Sequence, residues 1–281
     1  MALELAKTYK EVTGLDPMEG MVKAGLQPAD KRIRYAVGNA EDLSAAGIED
    51  ASIDLVVAGE AAHYFDHAKS WSEVGRVLRP KGTVAWVVSN DVGGAVVGLP
   101  LQPLVMTALH LGDSADAQGY GRISFPGHER ANTVINKLMD VTLASYWSEP
   151  GWSISEGLYD RIPFPVLPAP NTLAQSLPDL EGPGHPRNST IAEPLPVGKG
   201  EGWDPASALR LKSGDCGEWR LKERWTLHQL EKCLRSWSSV KRFQDKKGED
   251  VVAEVMEQLG PILGDEFDVA WPLVIMLIRR K

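Results

Sequence analysis

The chain has 281 residues, a net charge of −8, and 43% hydrophobic and 24% charged residues, a balance that supports a packed core and excludes wholesale disorder. Its acidity lacks the electrostatic footprint of a nucleic-acid binder. Two cysteines, Cys216 and Cys233, are no disulfide framework and suit a reducing compartment.

The opening MALELAKTYKEV has no apolar core, so no signal peptide is expected. The longest apolar run, residues 271–278, falls far short of the ~20 residues of a membrane helix. A soluble, cytoplasmic protein is expected. Residues 2–10 read as a short helix, 11–15 as a strand stopped at Asp16-Pro17, 18–24 as a helix and 32–37 as a strand. IDLVVA (53–58) is a continuous apolar strand of the kind covered on both faces. Residues 71–78 form an amphipathic helix closed by Arg79-Pro80-Lys81-Gly82, and 83–88 the next strand. Such alternation predicts an α/β fold, a doubly wound and mostly parallel sheet, over residues 1–90.

Residues 91–162 read as a helical region, with apolar residues at helical spacing over 132–147. Residues 163–205 hold ten of the 19 prolines and predict an insertion or lid without regular structure. In the last part, 206–281, helices are expected over 226–236 and 250–259 and a buried strand over 267–278.

Asp16, at a strand end, suits ribose hydroxyls or, equally, a helix N-cap. Ala40 and Glu41 suit an adenine amino group or a polar turn. Gly59, Glu60 and Ala61 permit close ligand approach, with His63 turned toward a substrate. Glu60, His63 and His67 share a helical spacing but lack a third nitrogen or thiolate ligand, so no metal is expected. Tyr146, Trp147, Trp152 and Tyr159 read as an aromatic substrate wall or as core. His128, Glu129, Arg130 and Arg161 read as anion contacts or as surface salt bridges.

The ordered series VTGLDP, AEDLS, SIDLVVAGEAAHYF and EVGRVLRPKGTVAW resembles the class I S-adenosylmethionine-dependent methyltransferases, in particular the trans-aconitate methyltransferase-like (methyltransferase type 11) branch. SYW (145–147), LYDRIPFP (158–165), SWSSVKRF (236–243) and VAWPLVIML (269–277) are similar to later landmarks of that branch. The resemblance implies a Rossmann-like core with S-adenosyl-L-methionine as cofactor and a small-molecule acceptor, a carboxylate or a hydroxyl. It places Asp16 on the ribose, Met18 against the adenine, and Ala40 and Glu41 at its amino group. Gly59, Glu60 and Ala61 line the methionine end, and His63 stands between cofactor and substrate, a base by its ordinary pKa where the acceptor is a hydroxyl. The family's glycine-rich GxGxG loop after the first strand does not stand ahead of VTGLDP in this chain, and Met1 falls where that loop ends, so the resemblance implies a core without its first strand and cofactor loop. Two alternatives stay open: a non-catalytic methyltransferase-like binding protein, and a methyltransferase-fold enzyme of another reaction.

Overall fold

The computed structural model describes residues 1–24, 30–89, 123–165, 202–212 and 220–281. Much of the expected helical region 91–162 and of the proline-rich segment 163–205 lies outside them, as does Cys216. After a short helix α1 (Ala2–Leu5) come β1 (Val12–Asp16), α2 (Glu19–Ala24), β2 (Ile33–Val37), β3 (Ile53–Gly59), α3 (His67–Val77) and β4 (Leu78–Ser89). The second half adds α4 (Glu129–Lys137), α5 (Gly151–Glu156), β5 (Trp203–Lys212), β6 (Arg220–Thr226), α6 (Leu227–Ser236), α7 (Ser238–Lys247), α8 (Val251–Leu263) and β7 (Glu266–Arg280).

The expected α/β alternation is present, and the sheet is mixed. β1 pairs with β2 and β3 with β4, both parallel, while β7 runs antiparallel to β4, β5 and β6. β1–β2 forms a sheet of its own, and no strand among the described residues joins it to β3. In register, Gly14 stands opposite Tyr35, and a Cβ on Gly14 would meet the Tyr35 ring at 2.5 Å. The edge of the tyrosine ring fills the space that a side chain on residue 14 would take.

β7 explains why two strands with weak sequence signals exist. Its residues Val269–Met276 are all buried, so both faces and both edges of this stretch need cover. β5 accepts Pro205 because the residue is exposed and falls within a register shift between Asp204 and Leu209, where no ladder donor is required. The strand thus begins inside the segment expected to be irregular. β6, with its charged RLKERWT, pairs with Glu266–Pro272, the half of β7 whose first residues alternate between exposed and buried.

The core has two parts. Phe267, Val269 and Trp271 of β7 pack with α4, α6, α7 and α8 in one cluster. Val274, Met276 and Ile278 pack on the other side with α3, β3, β4 and residues 154–164. A period of two along one strand feeds both. The helix expected over 132–147 breaks after Lys137 into a π turn, Leu138–Thr142, in which the Leu143 N–H donates to the Leu138 carbonyl at 2.8 Å. The turn frees the Met139 carbonyl to accept from the Trp147 indole at 3.1 Å.

Gly82 sits in the β3–β4 register shift. A Cβ there would come 2.9 Å from the Arg79 carbonyl oxygen and 3.2 Å from that of Ile53. Both neighbours are backbone and cannot swing away. Gly82→Ala is therefore expected to destabilise the fold by about 1–3 kcal/mol, read as a lower urea midpoint at unchanged slope. An unchanged midpoint would show that the turn yields.

Candidate functional site

The carboxyl ends of β1, β2 and β3 carry Asp16, the 38–43 loop and the Gly59–Tyr64 segment. In open α/β sheets ligands bind beyond such ends. At the first, Asp16 Oδ1 accepts the Met18 N–H at 2.8 Å, which orients the carboxylate. Met18 itself is 64% exposed. At the second, Asn39 Oδ1 accepts from the Glu41 and Asp42 amides at 3.1 and 2.9 Å and closes the loop as an Asx turn.

That loop is tied to α3 from two sides. Glu41 Oε1 accepts from the Asp66 amide at 2.8 Å and from Ser70 Oγ at 3.1 Å. Glu73 Oε1 accepts from the Leu43 amide at 2.8 Å, and the Arg76 guanidinium beside Glu73 holds its carboxyl below the usual range. Glu41 thus commits one oxygen to supporting the start of α3. Asn39 fixes the backbone of Glu41 and Asp42, and Glu73 that of Leu43, roles that residue type alone does not show.

At the third strand end, the Cα of Gly59 lies directly against the side chain of Met1, so that a Cβ would stand 2.4 Å from Met1 Cε. A chain bearing a thioether therefore fits against Gly59, and any larger residue would displace it. Glu60 follows with φ 54°, and Ala61 leads into the 3₁₀ turn Ala62–Tyr64. His63 in that turn is partly exposed, with its Nδ1 3.3 Å from the Tyr159 hydroxyl and its ring centroid 4.1 Å from that of Tyr64. Burial lowers the His63 pKa to about 4. Gly151, buried at the start of α5, brings that helix onto this turn: a Cβ on it would meet Tyr64 at 3.1 Å and His63 Cδ2 at 3.4 Å. Gly151 carried no functional signal in the sequence.

The four aromatic residues expected to form one wall are divided. Tyr159 is fully buried in the cluster under β4. Trp147 and Trp152 stack at 3.9 Å and pack, with Tyr146, against the helical cluster, where the Tyr146 ring meets Phe243 at 5.1 Å. The division follows from the chain: α5 lies between Trp147 and Tyr159 and turns them to different clusters. Trp152, next to Gly151, is the member of the pair that α5 itself carries. Among the described residues no group of three metal-ligating side chains occurs, and His67 is buried on α3 with neither ring nitrogen hydrogen-bonded. Arg161 has one guanidinium nitrogen buried without a hydrogen-bond partner.

Residues 1–86 match the methyltransferase domain family. Over 83 residues the chain is 34% identical to CRG1 of Saccharomyces cerevisiae, named as an S-adenosylmethionine-dependent methyltransferase, covering 28% of each chain. Over 82 residues it is 29% identical to a Dictyostelium discoideum protein named as a methyltransferase, covering 29% of each. The chain thus spans less than a third of the length of these relatives. A solved structure from Anaeromyxobacter dehalogenans, described as a type II methyltransferase, superposes with a TM-score of 0.59 at 24% identity, over 99% of this chain and 83% of that one. The fold is accordingly the class I, Rossmann-like α/β fold. No helix among the described residues is long and apolar enough to cross a membrane.

Proposed function

We propose that this chain transfers a methyl group from S-adenosylmethionine to a small molecule. The domain match over residues 1–86 and the name of the yeast relative imply the cofactor. The single observation that carries the reading is the Gly59 cradle, which takes a thioether side chain against bare backbone at the end of a parallel strand. The methionine arm of the cofactor has that same chemistry. In this reading Asp16, held by the Met18 amide, offers its second oxygen to the ribose. Met18, Ala40 and Glu41 border the adenine, and Gly59, Glu60 and Ala61 the methionine arm. Trp147, Trp152 and Tyr146 lie on the acceptor's side, and His63 stands between the two.

When bound, the cofactor supplies an electrophilic methyl group on a sulfonium, so the chain's own work is alignment and exclusion of water. The acceptor is a carboxylate or a hydroxyl of a small molecule, and Arg161 is suited to an anionic one.

Calorimetry with S-adenosylhomocysteine tests the reading. Binding with measurable heat is expected, and Asp16→Asn, which keeps an oxygen for the Met18 amide but loses the charge, is expected to weaken it about tenfold to hundredfold. Absence of heat with the unaltered chain would overturn the proposal. It would favour a non-catalytic binding role.

A further inference from the structure

Three non-glycine residues with left-handed backbone lie in the two segments that meet at His63: Glu60 (φ 54°), Leu158 (φ 49°) and Tyr159 (φ 59°). Each such conformation is strained and persists only where its surroundings over-determine it. Leu158 and Tyr159 follow Gly157, the C-cap of α5, and their amides donate back to the Ser155 and Ile154 carbonyls at 2.9 and 3.1 Å. This turn drives the Tyr159 side chain beneath the Ala62–Tyr64 turn, where it is fully buried. There its oxygen faces the backbone N–H groups of Ala62 and His63 and lies 3.3 Å from His63 Nδ1.

A phenol has one proton and two lone pairs. With its oxygen facing those two amides, the phenol turns its proton away from them, toward Nδ1, the ring nitrogen within hydrogen-bond distance. A ring nitrogen that accepts a proton cannot also carry one, and a neutral imidazole then bears its hydrogen on Nε2. We infer that Tyr159 is a positioning residue that holds His63 as the neutral Nε2–H tautomer, so that His63 presents a hydrogen-bond donor, and not a base, to the bound small molecule.

The inference rests on the methyl-transfer reading of this site and deepens it. An Nε2–H turns a lone pair of the acceptor toward a fixed direction and removes no proton from it. The acceptor atom therefore enters with its electron pair available, without deprotonation by His63. Among the described residues the titratable groups near the ring are Tyr64 in its own turn, Tyr159 after α5, and Glu60 at the end of β3, whose charge acts on Tyr159. From α5 itself Gly151 meets the ring. Burial and Glu60 together keep the Tyr159 phenol protonated, and burial keeps His63 neutral, in agreement with the hydrogen-bond geometry.

Nitrogen-detected NMR on the histidine-labelled chain without cofactor reads the tautomer, with the His63 signal assigned by its loss in His63→Asn. The unaltered protein is expected to show a bare, accepting Nδ1 and a protonated Nε2, unchanged from about pH 8 to about pH 5.5. In Tyr159→Phe, which keeps the ring, the two tautomers are expected to mix. A protonated Nδ1 in the unaltered chain would overturn the inference, as would a tautomer indifferent to Tyr159→Phe. The unaltered chain decides the first point even where the variant does not fold. Because the tautomer is read without cofactor, its failure is distinct from failure of the methyl-transfer reading, which the calorimetry decides.

Discussion

Acidification from neutrality to about pH 4 is expected to destabilise the protein by about 3 kcal/mol for each of His63 and His67. Burial lowers both from the ordinary 6.5 to about 4. In the unfolded chain each takes up a proton as the pH falls through 6.5; in the folded chain each resists until about 4. Within that window the unfolded state binds more protons, so stability falls with pH, and it is fully present only above the unfolded value. His67 has the stronger case. It is 3% exposed, neither ring nitrogen is hydrogen-bonded, and only neighbouring Asp66 opposes the shift.

Two such groups remove a large part of a domain's usual stability of about 5–15 kcal/mol. Carboxylates held low by partners, Glu73 by Arg76 and Asp250 by Arg235, add their loss only at lower pH. Urea titrations across the pH range check this, and His67→Leu separates the two histidines. The variant is expected to lose about half of the slope between pH 6.5 and 4 while keeping its stability at neutrality, because no hydrogen bond is removed. An unchanged slope would exclude His67 as the titrating group.

Trp71→Ala is expected to cost about 3–5 kcal/mol, the range of a large aromatic residue deleted from a core. Trp71 is 1% exposed on α3 and meets Trp86 at 5.0 Å and Trp203 edge-on at 5.5 Å. Its indole donates to the Pro163 carbonyl at 3.1 Å, joining α3 to the segment after α5. Truncation therefore opens a cavity, breaks two aromatic contacts and leaves a buried carbonyl unpaired. Trp71→Phe retains most of the volume and loses the hydrogen bond, for about 1–3 kcal/mol. Urea midpoints at unchanged slope give both numbers. Equal losses for the two variants would mean that the hydrogen bond, and not the packed volume, carries the effect.

Legibility in the sequence followed burial. β1, β2, β3 and β4 read correctly because their apolar and β-branched runs are short and bounded by turns, and α3 because Trp71, Val74 and Val77 fall on one face. The ranges expected for α6 and α8 begin at their N-caps, Thr226 and Asp250, whose side chains accept from the Gln229 and Ala253 amides. β5, β6 and α7 did not read, since Pro205, the alternating charges of RLKERWT and the polar SSVKRFQDKK carry no periodic signal. They exist because β7 and the helical cluster offer them surface to cover. At the site, Asp16, Ala40 and Gly59 were legible from their positions after strands. Asn39, Glu73 and Gly151 were not, because what they do is hold other residues.

By itself the sequence determined the order of strands and helices over residues 1–90, the strand ends at which a ligand would lie, and the residue types placed there. These are local properties, set by periodicity, turn residues and chain order. Only the tertiary structure decided what surrounds His63. Its neighbour Tyr159 stands 96 residues further along the chain, follows a turn of left-handed backbone, and brings its hydroxyl to 3.3 Å from His63 Nδ1. A tautomer depends on which groups surround a ring, and packing alone brings those groups together.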